Sequence, residues 1–329
     1  MLKICILSQQ HFSNKHVSED TVLAFEKAIV QEKSVEVKKI EISEFTYKIN
    51  RKVNKAGFLI DYKAVRQVKK YNPDYVFIMA MSPGILKFEL EILKRISKPK
   101  IVYCIDTWSS RVQEWRHVLT NAKVEYVLCS NKKAVDVFSD FCRKAGYLPY
   151  SMNGDIFYPR DCMKKHLFMQ MGRKNQTLHD YVLRYIADHN LKDSDYIREK
   201  ERGQIVCPDF NQLAEEINRT MFFVLAPRDI DESDITGEIS DVTARFYEGF
   251  ACKTMLLGYK PKDTFDLLFP NKNSMIEVET YEDFCDKVDY FLKHQDQYKA
   301  IVDANYEYLV KLHTWQHRAK ELVKFIENL

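Results

Sequence analysis

Along the 329-residue chain, short blocks that are apolar at nearly every position alternate with longer blocks that are apolar at every third or fourth position. A short apolar run predicts a strand buried on both faces, and the longer spacing predicts a helix that covers it. In the first half this reading gives strands at Lys3–Leu7, Val35–Ile42, Tyr75–Met81, Ile101–Ile105 and Tyr126–Cys129. It gives helices from Ser18 or Asp20 to near Glu32, and over Asp61–Tyr71, Lys87–Ile96, Arg111–Leu119 and Lys132–Ala145. Gly146 is expected to end the last of these. Repeated strand–helix alternation specifies a doubly wound parallel sheet. The loops that meet a ligand in such a sheet lie at the carboxyl ends of its strands, here Ser8–Phe12, Met81–Gly84 and Asp106–Ser110.

The pattern breaks at Gly146-Tyr-Leu-Pro-Tyr-Ser-Met-Asn-Gly-Asp-Ile-Phe-Tyr-Pro159, where two prolines and two glycines interrupt any regular element. It then resumes. Strands are predicted at His166–Met171, Gln204–Cys207, Met221–Ala226, Thr254–Gly258 and Met275–Val278. Helices are predicted over Thr177–His189, Gln212–Arg219, Tyr281–Lys293 and Gln297–Leu312, with an amphipathic helix from Thr314 to Leu329. The chain thus divides into two α/β domains, a number that also suits its length.

Composition narrows the setting. No apolar run approaches the ~18 residues that span a bilayer. Met1-Leu-Lys-Ile-Cys-Ile-Leu7 enters a strand directly and lacks a secretory cleavage site, so a cytoplasmic location is expected. None of the eight cysteines forms a CxxC pair, which fits reduced, buried thiols better than a disulfide or zinc framework. The net charge of +3 is unevenly divided: residues 1–155 carry 26 Lys+Arg against 17 Asp+Glu, and residues 156–329 carry 24 against 30. The basic half includes Lys48, Arg51, Lys52, Lys55, Lys63, Arg66, Lys69 and Lys70. Such a face is either simply solvated or drawn to an anionic membrane surface or a phosphate-bearing acceptor. No basic–aromatic motif for nucleic acid accompanies it.

Several polar groups stand where ligands bind. Gly172-Arg173-Lys174 follows a strand and precedes a helix, a position where glycine permits close backbone approach and two cations suit a diphosphate. Glu248, in the first turns of a helix that leaves the sheet, can accept hydrogen bonds from two vicinal ribose hydroxyls. Thr236–Thr243, which includes Ser240 and Thr243, is polar and small enough for its backbone N–H groups to cradle a leaving phosphate. Arg228 and Arg245 add charge beside it. His11 and Asp106 end strands of the first domain, where either can act as a base on an acceptor hydroxyl. His179 is a further phosphate-side candidate. His313 and His317 share a helical face, but no third zinc ligand is evident, and no DxD metal motif stands out.

Arg245-Phe-Tyr-Glu248-Gly-Phe-Ala-Cys, the Gly172-Arg173 loop, the Pro/Gly-Asp linker and the C-terminal His313-Thr-Trp-Gln-His317-Arg318 occur in one order. In that order they resemble the GT-B glycosyltransferases, specifically the spore-maturation-type, group 1-like branch. The resemblance implies two Rossmann-like parallel-sheet domains: an acceptor domain over 1–152, a nucleotide-sugar domain over 153–312, and a helix over 313–329 that crosses back to the first. It implies transfer of a sugar from a UDP-, GDP- or dTDP-sugar to a hydroxyl in surface-glycan or polysaccharide synthesis, with no metal and no further cofactor. Glu248 would hold the ribose. Arg173, Lys174 and the 236–243 backbone would stabilise the leaving group. A glycan or lipid-linked acceptor and a peripheral membrane contact at the inner face would follow. The chain departs from the branch in two places: Lys253 stands where glycine is usual, and Ser240 stands eight residues before Glu248, where retaining members carry a first glutamate. Glu238 and Asp241 are the nearby acids that remain for the donor sugar. A non-catalytic nucleotide-sugar binder and a sugar-nucleotide epimerase are the alternative activities.

Overall fold

The computed structural model describes residues 1–8, 20–55, 57–87, 89–201 and 204–329. The chain forms two compact units. The first contains Met1–Tyr150, Asp234–Ile239 and Trp315–Leu329, and the second contains Ser151–Ser233 and Ser240–Thr314.

The first unit is built on six parallel strands: β1 (Leu2–Ser8), β2 (Val35–Glu41), β3 (Tyr75–Ala80), β4 (Lys100–Cys104), β5 (Tyr126–Cys129) and β6 (Lys144–Tyr147). Their order is β2-β1-β3-β4-β5-β6, with Ile4 beside both Val37 and Tyr75. The central strands are buried on both faces, as their unbroken apolar runs require. Asp61 caps the Tyr62–Tyr71 helix by accepting from Ala64 N at 3.0 Å, and Asn72 closes it in the left-handed conformation. The Trp315–Glu327 helix completes this unit. Trp315 stacks on Phe25 with ring centroids 4.8 Å apart, and the buried Arg318 donates from Nε to Tyr150 O at 3.2 Å.

Two elements differ from the sequence reading here. The helix begun at Lys132 stops at Ser139, and Lys144–Tyr147 is a strand. Gly146 therefore ends no helix. It lies in β6, paired with Leu128 of β5, and glycine suits the position because a Cβ there would come within 2.7 Å of the Phe325 ring. A helix over Glu44–Lys52 escaped notice because it buries only Thr46, Tyr47 and Asn50, which is too little to print an apolar stripe.

The second unit has five parallel strands: β7 (His166–Gln170), β8 (Tyr196–Arg198), β9 (Thr220–Leu225), β10 (Met255–Gly258) and β11 (Met275–Glu277). Their order is β11-β10-β9-β7-β8. Phe168, Phe222 and Phe284 anchor its core. The strand expected at Gln204–Cys207 does not form, and Ile205 is 77% exposed. The neighbour of β7 is instead the three-residue Tyr196–Arg198, held by one buried tyrosine rather than by an apolar run. Both sheets are parallel throughout and the C-terminus is helical, the architecture that the GT-B resemblance implied.

Candidate functional site

The strand order of the second sheet fixes where a ligand belongs. From β7 the chain passes outward to β8, then returns to β9 on the other side of β7. The connections that leave β7 toward β8 and β9 toward β10 diverge at the carboxyl ends of those two strands, and a crevice opens at such a switch point. Met171–Lys174 follows β7, and Ala226–Asp231 follows β9.

Gly172 has φ +90°, a conformation that costs other residues and not glycine. A side chain there would lie 3.7 Å from Arg245 Nε, so the β7 loop and the Arg245 side chain are neighbours. Arg245 and Glu248 lie on the Ala244–Ala251 helix, one turn apart, and Arg245 Nη1 donates to Glu248 Oε2. Glu248 is 3% exposed. The helix can bring it so close to the sheet because Gly249 follows: a Cβ at that position would fall 2.4 Å from Leu256 Cδ2 and 3.1 Å from Phe223 Cδ1. At the start of the helix Thr243 is exposed and its hydroxyl makes no capping bond.

The sequence singled out Arg173 and Lys174 as a pair, and the structure separates their surroundings. Lys174 is exposed. Arg173 donates from Nη1 to Asp231 Oδ2, and from Nη2 to Ala226 O and Pro227 O at 3.0 and 2.7 Å. Its guanidinium therefore ties the β7 loop to the end of β9. Asp231 also accepts from Asn175 Nδ2 at 2.7 Å, while Asn175 Oδ1 caps the Gln176–Asp188 helix by accepting from Leu178 N at 2.9 Å. One carboxylate thus holds both ends of the glycine loop. Asn175 and Asp231 were not among the sequence candidates. The N-cap signature, Asn just before a helical stretch, marks the first, but nothing local marks the second.

Behind this loop runs a buried polar chain. Tyr196 donates its hydroxyl hydrogen to Gln170 Oε1 at 2.8 Å. The one hydrogen on that oxygen is therefore committed, and His179 Nδ1, 2.9 Å away, must carry a proton and donate to it. Burial, followed by the charges of Lys174 and Arg198, lowers the His179 pKa. His179 is thus a neutral interior group and not a phosphate ligand on the surface.

Ser240 is buried and fully engaged. Its hydroxyl donates to Asp229 Oδ1 at 2.8 Å and accepts from Lys262 N at 3.1 Å, and its own N–H donates to Asp263 Oδ2 at 2.9 Å. Where a retaining enzyme would place a glutamate, this chain has a loop tie. Arg228, in the turn after β9, donates to Glu232. Lys253 has φ +50°, the left-handed turn that favours glycine. It is held there by Asp303 at 2.6 Å and lies over the Tyr306 ring. Lysine thus occupies a left-handed turn at this position.

Asp106 and Glu238 belong to the first unit. Asp106 is half-buried beyond β4, with Oδ2 3.8 Å from Arg111 Nη1 and its carbonyl accepting from Trp115 Nε1 at 2.8 Å. Glu238 is exposed, and its carbonyl accepts from Lys133 Nζ at 3.0 Å. His11 lies outside the described residues. His313 packs against Phe269 and Tyr308. Among the described residues, no three His, Cys, Asp or Glu side chains are grouped to hold a metal ion, and no helix is long and apolar enough to cross a membrane.

Residues 190–324 match a family model described as glycosyl transferase-like. No curated protein sequence matches the chain. Among solved structures, sucrose-phosphate synthase from Thermosynechococcus elongatus is similar with a TM-score of 0.61 and 11% identity, over 100% of this chain and 99% of that one. Anabaena HepE, solved in complex with UDP and glucose, is similar with a TM-score of 0.60 and 7% identity over the whole of both chains. A putative UDP-N-acetylglucosamine 2-epimerase from Listeria monocytogenes has a TM-score of 0.51 and 10% identity, over 98% of this chain and 94% of that one. The chain has the GT-B fold, and the family match, over residues 190–324, is to a glycosyl transferase-like model.

Proposed function

We propose that this protein transfers a sugar from a nucleotide-sugar donor to an acceptor hydroxyl, with the donor bound by the second unit. The observation that carries the proposal is the convergence of Gly172, Arg245 and the buried Glu248 at the switch point of its sheet. Glu248, paired with Arg245, accepts the ribose hydroxyls. The Gly172 backbone and Lys174 face the diphosphate, and Arg173 acts as the brace that shapes their loop. The leaving diphosphate is stabilised by these cations in place of a metal. Asp106 and His11, from the first unit, are the proposed bases for the acceptor, and Glu238 contacts the donor sugar. The acceptor is a glycan or lipid-linked hydroxyl in surface-glycan synthesis on the cytoplasmic side of a membrane, which the basic first unit touches.

Titration calorimetry with UDP, GDP and dTDP tests the donor site, and incubation of the matching nucleotide sugars with and without acceptors tests the reaction. Nucleotide binding and acceptor-dependent turnover that persists in EDTA are the expected results. Failure to bind any of the three nucleotides overturns the donor site. Conversion of the donor without an acceptor assigns an epimerase, and binding without turnover assigns a nucleotide-sugar binder.

A further inference from the structure

The first unit holds three aromatic rings in water. Phe45, Phe58 and Tyr62 are 67%, 61% and 55% exposed, and Val53 is 45% exposed. All four lie between residues 45 and 66. The same stretch contains Lys48, Arg51, Lys52, Lys55, Lys63 and Arg66, against Asp61 as its one acid. Asp61 is buried as a helix cap and adds no surface charge.

These side chains are held on a built turn. The buried Asn50 donates from Nδ2 to Leu59 O at 2.9 Å and accepts at Oδ1 from Leu59 N at 2.8 Å, which pins the loop that presents Phe58. Gly57, at φ +75°, lies against the Glu91 side chain, where a Cβ would fall 2.1 Å from Cγ. Glu91 binds Lys94 at 2.8 Å and Arg95 at 2.7 Å, and the Arg95 guanidinium lies 6.0 Å from the Tyr62 ring centroid. Phe58, Tyr62, Lys94 and Arg95 therefore share one region. On the Glu44–Lys52 helix, Phe45, Lys48 and Lys52 recur at the spacing of a single face. A cleft of about 940 Å³ opens beside them, lined in part by Lys38, Lys39, Lys63 and Gln67 together with Glu41 and Asp61.

Exposed aromatics alone suit many partners, and cations alone are normally solvated. Fixed aromatics among cations that outnumber the neighbouring acids Glu41, Glu44 and Glu91, of which Glu44 pairs with Lys48 at 2.8 Å, match the chemistry of one surface: anionic headgroups over an acyl boundary. We infer that the Phe45–Arg66 face docks on an anionic lipid bilayer, with Phe45, Phe58 and Tyr62 at the acyl boundary and the surrounding cations on the headgroups. This locates the membrane contact of the proposed function. It rests on that reading only for its biological purpose, since the test does not involve the nucleotide site.

The test is sedimentation of the full chain with vesicles of phosphatidylcholine alone or mixed with phosphatidylglycerol. Each cation near such a surface contributes about fivefold to partitioning, so binding to the anionic vesicles should be at least tenfold tighter and should fall as salt rises. A triple variant Phe45→Ser, Phe58→Ser, Tyr62→Ser and a charge variant Lys48→Glu, Arg51→Glu, Lys52→Glu, Lys55→Glu should each weaken it at least tenfold. Unchanged thermal unfolding and UDP binding would establish that both variants are folded. No preference for anionic vesicles, no salt dependence, or undiminished binding by either folded variant overturns the assignment. The wild-type salt series decides the matter even where a variant fails to fold. An acidic protein or nucleic acid as the true occupant would appear as absent vesicle binding. Vesicle binding without nucleotide binding would sustain this inference and sink the donor site instead.

Discussion

Arg245 and Glu248 are one helical turn apart, and the arginine meets a carboxylate that is almost fully withdrawn from water. Burial of an unpaired carboxylate is costly, and the Arg245 guanidinium supplies the partner that offsets it. Glu248→Gln keeps the shape and removes the charge. It should lower nucleoside diphosphate affinity at least tenfold while moving the urea midpoint little. Arg245→Ala leaves the buried carboxylate without its partner and should cost about 1–3 kcal/mol of stability in the same urea titration.

Asp231 sits at the hub of the glycine loop, since it binds both Arg173 and Asn175. Asp231→Ala releases both, and the resulting loss of stability should be about 1–3 kcal/mol. The discriminating measurement is nucleotide affinity. If the loop is shaped by this carboxylate, affinity falls although Asp231 touches no nucleotide, and the double variant with Arg173→Ala loses little more. Additive losses would mean that Arg173 contacts the ligand directly.

His179 gives the fold a pH dependence of known sign. Its folded pKa is lowered, chiefly by burial, from an ordinary value near about 6.5. Above that value both folded and unfolded states hold a neutral ring, and the contribution to stability is fully present. As pH falls below it, the unfolded chain takes up a proton first, and the contribution is lost through the lower folded pKa. Thermal unfolding between pH 7 and 5 should therefore show a steeper fall for wild type than for His179→Asn, which keeps a donor toward Tyr196 and cannot titrate. Parallel slopes would remove His179 as the source.

Lys253 departs from the expected glycine without departing from the expected turn. Lys253→Gly relieves the left-handed strain, by about 1–2 kcal/mol, but adds about 0.5–1 kcal/mol of backbone entropy cost and loses the Asp303 contact, an ion pair worth at most about 1 kcal/mol. Differential scanning calorimetry should find gain and loss nearly balanced, and nucleotide affinity should stay within about twofold of wild type. A large change in affinity would make this residue part of the site.

Much of this molecule is legible in its sequence, for a definite reason. Strands buried on both faces must be apolar at every position, so Lys3–Leu7, Ile101–Ile105 and Met221–Ala226 announce themselves. Gly172 and Glu248 stand out as candidates because a glycine just after a strand and a carboxylate on an otherwise apolar helix have few cheap structural roles. What stays hidden is set by contacts distant in sequence. Tyr196–Arg198 is a strand by virtue of one tyrosine bonded to Gln170. Asp231 matters through residues more than fifty positions earlier. Ser240 looks like a ligand group until Asp229, Lys262 and Asp263 are seen around it. Gly146 resembles a helix stop, and only Phe325 reveals why the position carries no side chain.

The stacking of Trp315 on Phe25 joins residues that leave the ribosome nearly a full chain length apart. The first unit is begun before the second and closed after it, since its closing helix, Trp315–Glu327, follows the second unit in the chain. A nascent chain halted near Tyr150 must keep Phe25 and Tyr150 without their lid, exposing them to chaperones and proteases until that helix has been made. A C-terminal truncation of only fifteen residues would consequently strike the amino-terminal half of the protein, while the second unit, whose own chain is complete by Thr314, has everything it needs to mature.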